Sequence, residues 1–172
     1  MPLSEKPLLS EETIRSRVAE LADRISDDYA GRSLTVVVVL KGAIFFAADL
    51  VRELRVPVVV DFIRARSYEG TSSTGSVTIT TEPESPLAGK DVLLVEDIVD
   101  TGRTTAVLLE RIQRQAPASL ALCSLLHKPD RCVVPTTIDY LGFTIDDRFV
   151  VGYGLDHEQR HRELRALHVL EP

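Results

Sequence analysis

Residues 92–105 read VLLVEDIVDTGRTT, and this stretch decides how the rest of the chain is interpreted. The apolar run 92–95 is typical of a buried strand. Three carboxylates follow it at Glu96, Asp97 and Asp100. Open α/β sheets bind their ligands outside the carboxyl ends of the strands, so these acids are predicted to lie at a binding edge.

A hydroxyl-rich turn, 101–105 (TGRTT), separates the acids from a helical pattern that begins at Ala106. Backbone N–H groups and the dipole at a helix N-terminus favour a phosphate. Acids also gather at strand ends simply as turn formers. Three of them this close repel one another, however, unless cations or hydrogen-bond donors relieve the repulsion. We therefore interpret the stretch as a site for a phosphorylated sugar, with acids for a sugar diol or a metal.

Length and composition restrict the class of protein. The chain has 172 residues, 44% of them hydrophobic, which suffices for one domain, 1–172, with its own core. The net charge of −6 argues against nucleic acid or an anionic membrane as the main partner. Cys123 and Cys132 match neither a CxxC nor a zinc spacing and are expected as reduced thiols. No signal-like segment and no stretch of about 20 apolar residues occurs, so a cytoplasmic location is expected.

Strand-like and helix-like stretches alternate along the chain, which predicts an α/β domain with a mainly parallel twisted sheet flanked by helices. The Ser-, Thr- and Gly-rich segment 64–76 is predicted to be a long functional loop, since it cannot build a core. Helices are predicted from the N-cap Ser10 to about Gly31, over 43–54 and over 104–115, and strands over 34–40, 56–63, 77–81, 92–95, 119–126, 138–141 and 148–151.

Two familiar nucleotide-binding motifs are nearly present, but each lacks a residue that it requires. Residues 102–104 resemble the end of a P-loop, but Asp97 stands at the required upstream glycine and Arg103 at the lysine. The segment 152–154 (GYG) would need a third glycine where His157 stands, so the dinucleotide fingerprint also fails.

The segment 157–161 (HEQRH) is a literal HExxH, the pattern of zinc peptidases in which the histidines bind zinc and Glu158 is the base. The extended form of that motif needs glycine and histidine at two further positions, which are Leu164 and Leu167 here. The surrounding residues are polar, whereas a metalloprotease helix is buried. We therefore predict a solvated polar segment and keep the zinc peptidase as a weak alternative.

The stretch 92–105 resembles the phosphoribosyl-diphosphate signature of the purine phosphoribosyltransferases, most closely their hypoxanthine (hypoxanthine-guanine) branch. The resemblance covers about 35–165, and its parts occur in the family's order. Its other members are 40–43 (LKGA), which is similar to the family's LKG turn; 66–68 (RSY), similar to its lid; Lys128, at the position of its base-contacting lysine; and 149–156 (FVVGYGLD) with Arg162, similar to its C-terminal signature.

The resemblance implies the type I phosphoribosyltransferase fold, with a lid loop at about 64–76. It also implies a small hood from the chain termini, with its C-terminal part at about 142–172. The implied reaction is purine salvage. Ribose 5-phosphate is transferred, with Mg²⁺, from phosphoribosyl diphosphate to hypoxanthine and guanine, giving IMP or GMP and pyrophosphate. The family is usually dimeric or tetrameric, so a homodimer or homotetramer is expected.

For the sugar, the resemblance implies that Glu96 and Asp97 hold the ribose hydroxyls, directly or through Mg²⁺. Asp100 would be the general base at N7 of the purine. The 5′-phosphate would be bound by the turn residues Thr101, Gly102, Arg103, Thr104 and Thr105.

For the pyrophosphate, the resemblance implies that the turn of Lys41 and Gly42 offers backbone N–H groups. The family often has a strained or cis peptide bond before this lysine. Arg162 would also grip the pyrophosphate, since its planar fork suits phosphate oxygens. Asp156 would hold a Mg²⁺ ion that bridges to the pyrophosphate.

For the purine, Phe149 would stack on the ring and the backbone of Val150 would pair with its edge. Lys128 would donate to the 6-oxo group, which disfavours adenine because adenine carries a donor there. Ser67 and Tyr68 would belong to a lid that closes over the site and excludes water.

Four positions depart from the family pattern: Asp146 and Arg165 stand for frequent prolines, and His157 and His161 for common aromatics. They touch the hood and leave every implied site residue in place. A non-enzymatic alternative also exists, because the same fold serves as an RNA-binding regulator of pyrimidine genes. That alternative predicts a basic face for RNA, which the acidic composition does not favour.

Overall fold

The computed structural model describes residues 2–67 and 77–171. None of the helices in these ranges has the length and apolar character that a membrane span needs. The elements are α1 (Glu11–Asp28), β1 (Leu34–Val39), α2 (Ile44–Glu53), β2 (Val58–Ser67), β3 (Val77–Thr81), β4 (Asp91–Val99), α3 (Arg103–Gln113), β5 (Ser119–His127), a short 3₁₀ turn (Pro129–Arg131), β6 (Tyr140–Thr144), β7 (Val150–Val151) and β8 (His168–Val169).

Six strands form one sheet in the order β3-β2-β1-β4-β5-β6. All neighbouring strands are parallel except β2 and β3, which form an antiparallel pair at one edge. The predicted mainly parallel α/β sheet is therefore confirmed. Because β1 lies beside β4, the winding direction reverses between them, and such a switch point opens a crevice at the carboxyl ends of the two strands.

The central strand β1 is buried along its whole length, because helices cover both faces of the sheet. Leu34, Val36 and Val38 belong to the core shared with α1 and α2. Val37 and Val39 point the other way, into the core shared with α3. This two-sided burial explains why the strand is apolar throughout and fixes its carboxyl end at the crevice.

The helix α1 begins as predicted, with the hydroxyl of Ser10 accepting a backbone N–H of the first turn at 3.1 Å. One stripe of the helix is buried against the sheet. It comprises Ile14, Val18, Leu21 and Ile25. Burial of each side chain of this size stabilises the fold by about 1.5–3 kcal/mol.

The two chain ends meet beside the sheet and form a small hood, as expected from the resemblance. β7 pairs with β8 in antiparallel fashion. Isolated bridges join Leu3 to Leu170 and Leu9 to Leu167, so the N-terminal segment lies along the C-terminal one. The hood thereby places the residues that follow β7 over the carboxyl ends of β1 and β4.

Several element boundaries differ from those expected. The loop prediction was wrong for 64–67, which continues β2 and pairs with β3, because the alternating segment 77–81 offers it a ladder of hydrogen bonds. β4 runs past the apolar residues to Val99, since its pairing with β5 continues through Glu96. β6 begins and ends later than predicted, and β8 was not predicted. The rest of the expected lid, with Tyr68, lies outside the described residues.

Candidate active site

Glu96 is buried near the carboxyl end of β4 and faces α3. Its side chain is 4% exposed, and Oε1 accepts a hydrogen bond from Oγ1 of Thr105 at 3.4 Å. Burial, followed by the negative charge of Asp97, raises the pKa of Glu96 to about 8, although the Thr105 hydroxyl lowers it. The carboxyl group therefore keeps its proton near neutral pH unless a donor or a cation reaches it.

Asp97 points to the opposite face of the strand, because successive strand residues alternate. Loss of hydration raises the pKa of Asp97 to about 6. Its own backbone N–H, that of Ile98 and the charge of Arg162 lower the pKa, while Asp156 raises it. The C-terminal residues Arg162 and Asp156 are thus close enough to act electrostatically on the end of β4.

The turn after β1 packs directly against this acid. A cis peptide bond joins Leu40 and Lys41, as the resemblance implied. A Cβ on Gly42 would lie 1.6 Å from Oδ2 of Asp97, and a Cβ on Gly154 would lie 1.9 Å from the carbonyl oxygen of Gly42. Only glycine fits at both positions, so the turn after β1 is held between the end of β4 and the hood.

The predicted phosphate turn leads into α3 from a left-handed glycine. Gly102 has φ 78°, and a Cβ there would lie 2.2 Å from the carbonyl oxygen of Val134. The carbonyl of Thr101 accepts the N–H groups of Val133 and Val134, each at 3.0 Å. The N-cap Gly102 has no side chain to cap α3, and the N–H of Arg103 donates to Oγ1 of Thr101 only at 3.5 Å, so N–H groups of the first turn can bind an anion.

Four charged side chains form an alternating chain at the other side of the crevice, here termed the ion chain: Asp100, Arg131, Asp147 and Lys128. Nε of Arg131 donates to Oδ1 of Asp100 at 2.6 Å, and its Nη1 lies 3.5 Å from Oδ2 of Asp147. Nζ of Lys128 lies 3.7 Å from Oδ1 of Asp147. The backbone N–H of Lys128 donates to Val99, and the residue is 7% exposed. Charge pairing therefore holds a nearly buried lysine beside the end of β4.

Phe149 stands at the entrance of the same region. It is 54% exposed, which is unusual for a large aromatic side chain. Its ring meets that of His157 edge-on, with 5.6 Å between the centroids and an interplanar angle of 89°. Val150, the next residue, is buried and anchors the segment through its pairing with β8. The exposed ring face can stack on a flat ligand.

The hood closes the remaining side with a second polar cluster. Nη2 of Arg162 lies 2.5 Å from Oδ1 of Asp156, and its Nη1 donates to the carbonyl of Gly154 at 2.6 Å. Oδ2 of Asp156 accepts the backbone N–H of Gln159 at 2.8 Å and its side-chain amide at 3.3 Å. Nζ of Lys41 donates to Oε1 of Gln159 at 3.1 Å. The turn after β1 is thereby linked to the hood.

The zinc peptidase alternative is not supported, because the segment 157–161 is not helical. His157 and Arg160 close a turn through two backbone hydrogen bonds of 3.2 and 3.0 Å. Glu158, Gln159 and His161 have positive φ angles, so the two histidines cannot share a helix face. Within 2–67 and 77–171, no group of three or more His, Cys, Asp or Glu side chains could hold a metal ion.

Most of the expected site residues lie around one crevice, between the carboxyl ends of β1 and β4. Ser67 is the last residue of β2, and Tyr68 lies outside the described residues. Three further residues of the crevice were not predicted from the sequence: Arg131, Asp147 and Gln159. Each lies within a few residues of an expected site residue, but their mutual pairing has no sequence signal because it depends on how the loops fold back.

Comparisons with known proteins agree with this geometry. The family model "Phosphoribosyl transferase domain" matches residues 6–158. Hypoxanthine-guanine phosphoribosyltransferase of Mycobacterium tuberculosis is 42% identical, over 96% of this chain and 85% of its own. Hypoxanthine phosphoribosyltransferase of Salmonella typhimurium is 44% identical, over 91% and 90%.

Solved structures agree as well. A hypoxanthine-guanine phosphoribosyltransferase from Bacillus anthracis superimposes with a TM-score of 0.92 at 40% identity, covering 97% of this chain and 99% of that one. A hypoxanthine phosphoribosyltransferase from Staphylococcus aureus gives 0.93 at 38%, covering 98% and 92%. With the fold, the crevice and the relatives in agreement, this chain belongs to the phosphoribosyltransferase family, in its hypoxanthine (hypoxanthine-guanine) branch.

Proposed function

We propose that the chain, as one phosphoribosyltransferase domain over 1–172, transfers the 5-phosphoribosyl group of phosphoribosyl diphosphate to hypoxanthine and guanine in purine salvage. The products are IMP or GMP and pyrophosphate. One observation supports the proposal most strongly: the turn of Gly42, the acids of β4 and the first turn of α3 meet at the switch point of the sheet. A phosphorylated sugar with a second phosphate group matches such a crevice.

The sugar would lie along the end of β4. Glu96 and Asp97 would accept hydrogen bonds from the ribose hydroxyls at the carboxyl end of this strand. Transfer passes through a sugar with cationic character, and ionised carboxylates favour that charge. The 5′-phosphate would be bound at the N-terminus of α3, by Thr101, Gly102, Arg103, Thr104 and Thr105.

The pyrophosphate would lie between the turn after β1 and the hood. Lys41 and Gly42 would offer backbone N–H groups, and Arg162 would bind phosphate oxygens with its planar fork. Pyrophosphate is the leaving group, so positive charge here favours its departure.

The carboxyl groups of Glu96, Asp97 and Asp156 fit Mg²⁺. This ion is usually held through one or two carboxylates together with substrate phosphates, so carboxyl groups beside the proposed diphosphate site suit it. The raised pKa of Glu96 also fits, because a bound cation offsets the cost of a buried negative charge. Mg²⁺ would neutralise charge on the diphosphate as the bond to the sugar breaks.

The purine would stack on Phe149, with its edge on the backbone of Val150 and its 6-oxo group on Nζ of Lys128. Asp100 would accept the proton at N7. Its carboxylate is paired with Arg131 in the ion chain, so the incoming purine competes with an existing partner. Ser67 and Tyr68 would contribute to a lid that excludes water from the activated sugar.

The chain would work as a homodimer or homotetramer. Large apolar side chains are exposed on one face of α2 and β2, and three of them, Ile44, Val60 and Phe62, line one groove of about 250 Å³. Exposed apolar patches of this kind mark interfaces. We expect Phe62→Lys to lower the molar mass measured by light scattering. A cytoplasmic location is proposed too, and the two free thiols agree with it.

The RNA-binding alternative is not supported, since the matching relatives carry the names of transferases and the net charge is −6. A panel of bases tests the proposal. The protein is incubated with phosphoribosyl diphosphate, Mg²⁺ and one of hypoxanthine, guanine, xanthine or adenine. Nucleotide from hypoxanthine and guanine but not from adenine is expected. Nucleotide from adenine alone would contradict the assignment of Lys128 to a 6-oxo group.

A further inference from the structure

Gln159 joins two parts of the crevice that are far apart in the sequence. Its Oε1 accepts the ammonium of Lys41 at 3.1 Å, from the turn after β1. Its backbone N–H and its side-chain amide both donate to Oδ2 of Asp156, at 2.8 and 3.3 Å. The other oxygen of that carboxylate is paired with Arg162 at 2.5 Å. One neutral side chain therefore links the cation on one side of the proposed pyrophosphate site to the carboxylate on the other.

The backbone at Gln159 is unusual as well. Glu158 and Gln159 are the central residues of the turn closed by His157 and Arg160, with φ angles of 52° and 65°. Two positive φ angles define a type I′ turn, in which glycine, asparagine and aspartate are preferred. Glutamate and glutamine have no such preference. Residues with unfavourable backbone geometry of this kind cluster at functional sites, where their side chains contribute to function.

Few side chains other than glutamine could bridge Lys41 and Asp156 in this way. An amide can accept from an ammonium and donate to a carboxylate at the same time, without adding charge. Glutamate would repel Asp156, and lysine would repel Lys41. Glycine would suit the backbone but would remove the bridge.

We propose that Gln159 is a positioning residue that holds Lys41 and Asp156 in place for a diphosphate group. The inference rests on the proposed function of the crevice. A preorganised site binds its ligand more tightly, because less order must be imposed on binding. Loss of the bridge therefore weakens binding of the diphosphate end and leaves the purine end unaffected, since no hydrogen bond or ion pair among the described residues joins Gln159 to Lys128 or Phe149.

Three variants test the bridge: Gln159→Gly, Gln159→Glu and the control Glu158→Gly. Both glycine variants relieve a positive φ, so neither should lower the melting temperature. Glu158 forms no side-chain hydrogen bond or ion pair with the described residues, which makes it a matched control. Gln159→Gly should raise the KM for phosphoribosyl diphosphate about three- to tenfold, the loss expected for one or two hydrogen bonds, with the KM for hypoxanthine unchanged. Gln159→Glu should raise it at least as much, and Glu158→Gly should leave both constants near wild type.

A double-mutant cycle with Lys41→Ala isolates the link. If Gln159 acts on Lys41, the double variant Lys41→Ala, Gln159→Gly should be less impaired than the product of the single effects. Strict additivity would overturn the proposal. So would an equal effect of Glu158→Gly, or a rise in both KM values together with a lower melting temperature.

Calorimetric titration with magnesium pyrophosphate repeats the comparison without turnover. Weaker binding to Gln159→Gly than to wild type supports the bridge, and equal binding overturns it. These results stay separate from the proposed function. A wild-type protein that forms no nucleotide defeats the proposed function, whereas an active wild type with an unaltered Gln159→Gly defeats the bridge alone.

Discussion

Asp97 and Gly42 are in contact across the gap between β4 and β1. A Cβ on Gly42 would lie 1.6 Å from Oδ2 of Asp97, far inside the 3.0 Å that real Cβ atoms keep. The carboxylate of Asp97, near the end of β4, therefore packs against the backbone turn that follows β1. Because residue 42 has no side chain, the two parts of the crevice that would bind different portions of the proposed substrate can lie in direct contact.

Gly42→Ala is therefore expected to displace Asp97 or the turn and to lower kcat/KM about a hundredfold, the cost of misplacing a reacting group by roughly 1 Å. Steady-state kinetics with phosphoribosyl diphosphate and hypoxanthine measures this. The control is Gly31→Ala, where φ is 76° and a Cβ would meet nothing within 4 Å. It should lose about 1–2 kcal/mol of stability with kcat/KM preserved. Wild-type kinetics in Gly42→Ala would show that the contact has no role.

Glu96→Gln is expected to change how stability depends on pH. The pKa of Glu96 is about 8 in the folded chain and ordinarily 4.5. The folded state therefore holds the proton more tightly than the unfolded chain, so Glu96 contributes a loss of stability as pH rises from 4.5 towards 8. Each tenfold difference in proton affinity corresponds to about 1.4 kcal/mol, so the contribution amounts to a few kcal/mol.

Urea unfolding of the two proteins across this pH range measures the effect. The free energy of unfolding of Glu96→Gln relative to wild type should be lowest near pH ~4 and should rise until pH ~9. A difference that stays constant with pH would mean that Glu96 titrates normally. Potentiometric titration of the wild-type protein measures the protonation of Glu96 in the folded state and provides an independent check.

Lys128→Met keeps the length of a nearly buried side chain and removes its ammonium. The 6-oxo group of hypoxanthine then loses its proposed donor, and the KM for hypoxanthine should rise about tenfold to a hundredfold, as for a lost hydrogen bond to a charged group. The KM for phosphoribosyl diphosphate should stay near wild type. A rise confined to phosphoribosyl diphosphate would place Lys128 at the wrong end of the crevice.

Asp156→Ala should lower activity and increase the Mg²⁺ concentration needed for half-maximal rate, because it removes one of the proposed carboxylate ligands. The matched comparison is the double variant His157→Ala, His161→Ala, which should keep most of the activity. Rates measured over a Mg²⁺ series distinguish the two variants. Loss of activity in the histidine pair, with Asp156→Ala active, would reverse our interpretation of the C-terminal segment.

The crevice could be predicted from the sequence largely because its signals are local. The strand, acids and turn of 92–105 are contiguous, and the alternation of elements predicts a parallel sheet whose carboxyl edge carries them. The end of β4 was misplaced because Glu96 looks like the start of a loop, whereas continued pairing with β5 keeps it in the strand. The prediction of a loop over Arg64–Ser67 was wrong for a similar reason, since polar edge strands resemble loops in composition.

The contacts inside the crevice could not be predicted from the sequence in the same way. That Gly42 touches Asp97 follows from the adjacency of β1 and β4, which the chain order does not specify. Arg131 and Gln159 reach their partners because a short turn and the hood fold back over the sheet. Such pairings are set by packing over long sequence separations, which have no local pattern.

Above all, we propose that this chain transfers a phosphoribosyl group from phosphoribosyl diphosphate to hypoxanthine. The most direct measurement is the simultaneous quantification of IMP and pyrophosphate in one reaction, with and without Mg²⁺. We expect the two products to form in equal amounts and both to require Mg²⁺. Pyrophosphate without IMP, or no release of either product, would contradict it.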